Sequence, residues 1–144
     1  MYALTVAELT ALASLDLIAG STKYIVRDAF VCSCLSALRL SDWRHFAMSN
    51  LGQLVLNKKT GKFTLLPETV RELIERNGQA IVLPVKEPNT VIRKLAKQAA
   101  ITCPSLSEIV PYRKGMRPKW NAITSSGGRR TFVTLGYMHG ASTT

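Results

Sequence analysis

Between Thr22 and Leu38 the chain carries more apolar residues than one face of a helix can hold. Ile25, Ala29, Cys32 and Leu35 recur at the spacing of a helical stripe. Phe30 and Val31 widen that stripe beyond what a surface helix uses. Such a helix has to be covered on several sides, so the pattern predicts a central helix over 22–38. Cys32 and Cys34 lie inside it and read as small core residues. With three cysteines and two histidines in all, neither His45 nor His139 stands at zinc-ligand spacing from a cysteine. No metal site and no cofactor are expected.

The other elements are read from local signals. Thr5 and Glu8 form a capping box, followed by Val6, Leu9, Leu12 and Ala13 at helical spacing. That first helix closes over Leu15 to Gly20. Ser41-Asp42 offers N-caps for a short helix from Trp43 to Ala47. Leu54-Val55-Leu56 and Phe63-Thr64-Leu65-Leu66 read as the strands of a β-hairpin whose tip runs from Asn57 to Lys62. Pro67 opens a helix that runs through Arg76 and stops at Asn77-Gly78. A further helix extends from Asn89 or Thr90 to Ala100 and carries Arg93, Lys94 and Lys97. Cys103 to Thr124 holds three prolines and a glycine. It reads as extended, with strands at Ser107 to Val110 and Trp120 to Ile123. Ser125-Ser126 then caps a last helix, with Phe132, Leu135 and Met138 facing the core and Gly140 as its stop. A single α+β domain over 1–144, mainly helical with a small hairpin or sheet, follows from this order.

Charge narrows the partner. Of the net +10, residues 1–85 contribute +2 (9 basic, 7 acidic) and residues 86–144 contribute +8 (10 basic, 2 acidic). A basic half of this kind points to a polyanion, of which nucleic acid is the commonest. No basic amphipathic helix with exposed aromatics favours a membrane surface. With no apolar run of spanning length and no signal-peptide start, a cytoplasmic protein is expected.

Three segments could hold phosphate. In Ala37-Leu38-Arg39-Leu40-Ser41-Asp42 an arginine leaves a buried helix just before a new N-cap, where its planar fork can meet a phosphate or pair with Asp42. In Ser125-Ser126-Gly127-Gly128-Arg129-Arg130-Thr131-Phe132 a helix start with free N–H groups, two glycines allowing close approach and two arginines suit a phosphate, and suit a glycine-rich loop with a solvated basic turn equally. In Lys58-Lys59-Thr60-Gly61-Lys62 flexible lysines can reach a phosphate or a leaving oxygen, or serve only solubility.

Taken together and in order, these segments resemble the catalytic domain of the tyrosine recombinases, above all the integrases of phages and mobile elements. That family has an arginine in a helix-end motif, a lysine on a hairpin that is often followed by Thr, and a His-x-x-Arg box with Thr-Phe nearby. The opening Leu4-Thr5-Val6-Ala7-Glu8-Leu9-Thr10-Ala11-Leu12 is similar to its domain-start helix. The resemblance spans nearly the whole chain. It implies that Arg39 and Arg129 hold a scissile phosphate and that Lys59 protonates the leaving oxygen. Lys58, Lys62 and Arg130 would be DNA contacts, and double-stranded DNA the partner in strand cleavage, integration and recombination.

Two departures accompany the resemblance. Ser126 stands where the box has histidine. It can hydrogen-bond phosphate or cap the helix but cannot act as an imidazole acid or base. The family's nucleophilic tyrosine belongs to a segment beyond the second arginine box, and the chain ends at Thr144. Tyr137 is no substitute, being eight residues from Arg129 on one helix, roughly 12 Å along its axis. A partial catalytic domain, incomplete at its C-terminus, is therefore expected, with self-association through the bared face of the last helix. The alternatives are a catalytically silent duplex-DNA-binding relative and, more remotely, a basic RNA-binding protein.

Overall fold

The computed structural model describes residues 2–36, 46–47, 54–57, 62–65, 67–78 and 80–138. Five helices are numbered here as α1 (Val6–Ala13), α2 (Thr22–Ser36), α3 (Glu68–Glu75), α4 (Pro88–Ala99) and, after a 3-10 turn at Pro104–Ser107, the short α5 (Lys119–Ala122). A sixth, α6 (Gly127–Met138), follows it. The strands are β1 (Phe46–Ala47), β2 (Leu54–Asn57), β3 (Lys62–Leu65), β4 (Ala80–Ile81), β5 (Ile109–Tyr112) and β6 (Gly115–Pro118). They form three two-stranded antiparallel sheets: β1 with β4, β2 with β3, and β5 with β6. The architecture is mixed α and β, mostly helical.

α2 occupies the centre. Every residue from Val26 to Cys34 is buried, and α1, α3, α4 and α6 all pack against it. The breadth read in its sequence is the reason: a helix apolar on more than one side is stable only when enclosed. Around it, Leu9 and Leu12 of α1, Val70, Leu73 and Ile74 of α3, and Ile92, Leu95, Ala96 and Ala99 of α4 complete one core.

Local signals became local structure. Thr5 Oγ1 accepts from the Glu8 N–H at 3.2 Å while Glu8 Oε1 accepts from the Thr5 N–H at 2.9 Å, the capping box in both directions. Gly78, at φ +81°, ends α3 in the left-handed region that glycine enters without penalty. The two predicted strands pair as an antiparallel hairpin, Leu54 opposite Leu65 and Asn57 opposite Lys62.

Three expectations are corrected. Phe46 and Ala47 are strand, paired with Ile81 and Ala80, rather than the end of a short helix. Residues 43–45 of that predicted helix lie outside the described residues. The second ribbon starts at Ile109 and returns at Gly115–Pro118, and Trp120 lies in α5 instead of a strand. Phe132 is 41% exposed, and the core-facing position beside it is taken by Thr131, fully buried. Thr131 tolerates burial because its hydroxyl donates to Gly127 O at 2.7 Å and accepts from the Leu4 N–H at 2.9 Å.

Candidate nucleic-acid interface

The second arginine segment begins α6. Gly127 and Gly128 form its first turn, and both are buried. Their small size serves the protein's own packing: a Cβ on Gly128 would stand 2.4 Å from Ser33 Oγ, and one on Gly127 2.8 Å from Tyr2 O. Contact with the C-terminal half of α2 thus requires glycine at 128. The two glycines sit inside the fold, so they are not the open approach to a phosphate that the sequence suggested.

Arg129 and Arg130 follow directly and are exposed. The free amides of this helix start are partly used, because Gly127 N–H donates to Thr124 O at 2.9 Å and Gly128 N–H to Ser125 O at 3.3 Å. Ser126 is exposed and its hydroxyl lies 3.1 Å from Thr124 Oγ1. The approach to α6 is fixed from a third side by Ser125 N–H, which donates to Asn89 Oδ1 at 2.8 Å. What this turn offers an anion is therefore mainly two exposed guanidinium groups on a rigid base.

Arg39, Lys58 and Lys59 lie outside the described residues. Lys62 begins β3, opposite Asn57. Tyr137 shares α6 with Arg129, which keeps the axial separation anticipated above.

Two buried carboxylates hold the scaffold together, and neither was singled out as such in the sequence. Asp28, fully buried, accepts from Arg27 Nε at 2.8 Å, from Arg76 Nε at 2.8 Å, from Arg76 Nη2 and from Asn77 Nδ2 at 2.8 Å. The hydrogen bonds from Arg76 to Asp28 also hold the Arg76 guanidinium pKa above its ordinary value. Arg27 continues the network by donating to Ala13 O at 3.3 Å and Leu15 O at 2.9 Å, which satisfies carbonyls at the end of α1. Glu8 receives Lys119 Nζ at 2.6 Å and Ser105 Oγ at 2.8 Å besides its capping bond. Burial pushes the Glu8 carboxyl up, but the bonds from Lys119, Thr5 and Ser105 outweigh it and hold it below the ordinary glutamate value. Burial drives the Cys34 thiol to about 12 and Cys32 well above its usual value, so both stay protonated.

Further exposed cations lie in the basic half of the chain. Lys94 and Lys97 of α4, and Arg113, Lys114 and Arg117 of the β5–β6 ribbon, are exposed. Among the described residues no group of three or more His, Cys, Asp or Glu could hold a metal ion. No described helix is long and apolar enough to cross a membrane.

Comparison with known proteins adds no relative: no family model, no curated protein and no solved structure matches the chain.

Proposed function

We propose that the chain holds duplex DNA through a phosphate site shared by Arg39 and Arg129, as in the catalytic domain of a tyrosine recombinase or integrase. The observation that carries this reading is the seating of the α6 start on the end of α2. Gly128 touches Ser33, and Arg39 follows the end of α2 at Ser36 by three residues, a tether of at most roughly 10 Å. The turn that bears Arg129 thus packs against α2, and Arg39 is tied to the same helix by three residues of chain. Fixed guanidinium groups at a phosphate stabilise its negative charge with planar, paired hydrogen bonds. Lys59 on the hairpin is the third member in this reading, as donor of a proton to a leaving oxygen. Lys58, Lys62 and Arg130 supply further phosphate contacts.

Strand cleavage is a separate matter. None of Tyr2, Tyr24, Tyr112 and Tyr137 stands at the family's nucleophile position, and Ser126 replaces the imidazole. Serine in place of the imidazole favours the silent duplex-binding reading. A nicked suicide duplex carrying a recombination site should give no covalent adduct with this chain. An adduct would return the reading to an active strand-exchange enzyme.

Binding is tested by fluorescence anisotropy of labelled duplex against salt. Arg39→Ala and Arg129→Ala should each weaken binding and reduce the salt slope by about 1, the value for one phosphate contact. Unchanged affinity in both would remove the shared phosphate site. Self-association belongs to the same proposal, through the face of α6 that bears exposed Phe132 and Val133. Sedimentation at two concentrations should show dimer, and Phe132→Ser with Val133→Ser should leave monomer.

A further inference from the structure

The structure assigns a second nucleic-acid contact to the β5–β6 ribbon: we infer that Arg113, Lys114 and Arg117 grip the duplex backbone while the ribbon's apolar face lies in the adjacent groove. This rests on the duplex-binding reading above and extends it to a surface that the sequence pattern did not single out.

The ribbon is short, exposed and firmly rooted. Its strands pair from Ile109↔Pro118 to Tyr112↔Gly115. At the root, Lys119 N–H donates to Glu108 O at 2.8 Å, and Lys119 Nζ is tied to buried Glu8. Midway, the Tyr2 hydroxyl donates to Pro111 O, fastening the ribbon to the N-terminal segment. A ligand that meets this ribbon does not have to order it first, which lowers the entropic cost of binding.

Alternation along the strands gives the ribbon two unlike faces. Val110, Tyr112 and Arg117 share one, and the guanidinium groups of both Arg113 and Arg117 lie 5.3 Å from the Tyr112 ring centroid. The ring holds the two cations side by side without neutralising them. Lys114 completes the tip, where Arg113 occupies a left-handed turn position at φ +56°. Along the chain from 107 to 119 the carboxylate is Glu108, at the ribbon's root, where buried Glu8 is already paired with Lys119. On the opposite face, Ile109 and Met116 are 61% and 62% exposed, with Pro111 exposed between them. Cations at the tip and on one face, with an exposed apolar face of Ile, Met and Pro on the other, fit a duplex that straddles the ribbon, where backbone contacts position it and apolar side chains meet base edges or steps.

The ribbon also lies on the same body as Arg129. Lys97 of α4 sits 5.2 Å over Trp120 at the ribbon root, and Asn89 of the same helix holds the start of α6 through Ser125. Asn89 and Lys97 are eight residues apart, roughly 12 Å along the helix axis. The ribbon root and the start of α6 are thus held at the two ends of one helix.

The test uses the full chain and a labelled blunt duplex, read by anisotropy over a salt series. Replacing Arg113, Lys114 and Arg117 together by Gln should lower the salt slope by about 2.7, at about 0.9 per phosphate contact. The Arg113→Lys, Arg117→Lys double variant keeps the charge and should retain most of the slope. Met116→Ala should weaken binding several-fold with the slope unchanged, because an apolar contact releases no counterions. Circular dichroism melts of all variants should match the parent, the ribbon side chains being exposed. If the triple variant binds like the parent while Arg129→Ala weakens binding, the ribbon contact is wrong and the shared arginine site stands. If the parent binds no duplex, both fall. If the triple variant loses binding to anionic phosphatidylserine vesicles and not to DNA, the ribbon is a membrane contact and the inference is overturned.

Discussion

Gly128 sets how closely α6 approaches α2, because its missing Cβ would meet Ser33 Oγ at 2.4 Å and Ser33 Cβ at 2.9 Å. The second of these neighbours is part of the α2 stem and cannot swing away. Gly128→Ala should therefore lower stability by about 1–3 kcal/mol, the usual cost of overpacking a tight interface, as read in chemical denaturation. A parent-like midpoint would show that the two helices separate without cost. Asp28 is a second residue on which the scaffold depends. It gathers buried Arg27 and the half-exposed Arg76 and Asn77 around one buried carboxylate, and Asp28→Ala leaves Arg27 without its partner. That change should cost about 3–5 kcal/mol, enough to unfold a domain of ordinary stability. The sequence showed Asp28 only as one polar residue in an apolar helix; its partners Arg76 and Asn77 lie nearly fifty residues away, beyond the reach of any local pattern.

At the scale of elements, what could be read depended on whether the cause was local. The capping box of α1, the strands of the β2–β3 hairpin and the Pro67 and Gly78 limits of α3 each arise within a few residues, and each appears as the sequence implied. β1 was misread as helix because its partner, β4, is more than thirty residues downstream. Trp120 to Ile123 was misread as strand because a short apolar run does not by itself distinguish strand from helix. The tie from Lys119 to Glu8 fixes α5 from outside. The phase of α6 was misread at Phe132 because a threonine with both hydrogen-bonding needs met can replace an aromatic in the core. The Glu8 cluster, which joins α1 to α5, carries a pH prediction. With its folded pKa below the unfolded value, Glu8 contributes stability that is full above the ordinary glutamate range and lost as pH falls through the depressed folded value. Glu8→Gln should flatten the acid limb of the stability profile, measured by urea midpoints between pH 6 and pH 3. An unaltered acid limb would mean that other carboxylates set it.

For the whole molecule, the charge asymmetry proved the more informative bulk property. It foretold that cations would dominate the C-terminal half, where the described exposed ones are Lys86, Lys94 and Lys97, the three of the β5–β6 ribbon, and Arg129 and Arg130. Which of them share a ligand was not legible, because charge counts carry no geometry. The site itself was legible only as an order of motifs: Arg129 is described on a rigid, exposed turn, whereas Arg39 and Lys59 fall outside the described residues. The central claim is that Arg39 and Arg129 hold one phosphate, and a double-mutant cycle on duplex affinity addresses it directly. Groups that share a phosphate should be coupled, so Arg39→Ala with Arg129→Ala should lose less than the sum of the single losses, by about 0.5–3 kcal/mol. Losses that add to within about 0.3–0.5 kcal/mol would contradict the claim, leaving two independent contacts where one grip is proposed.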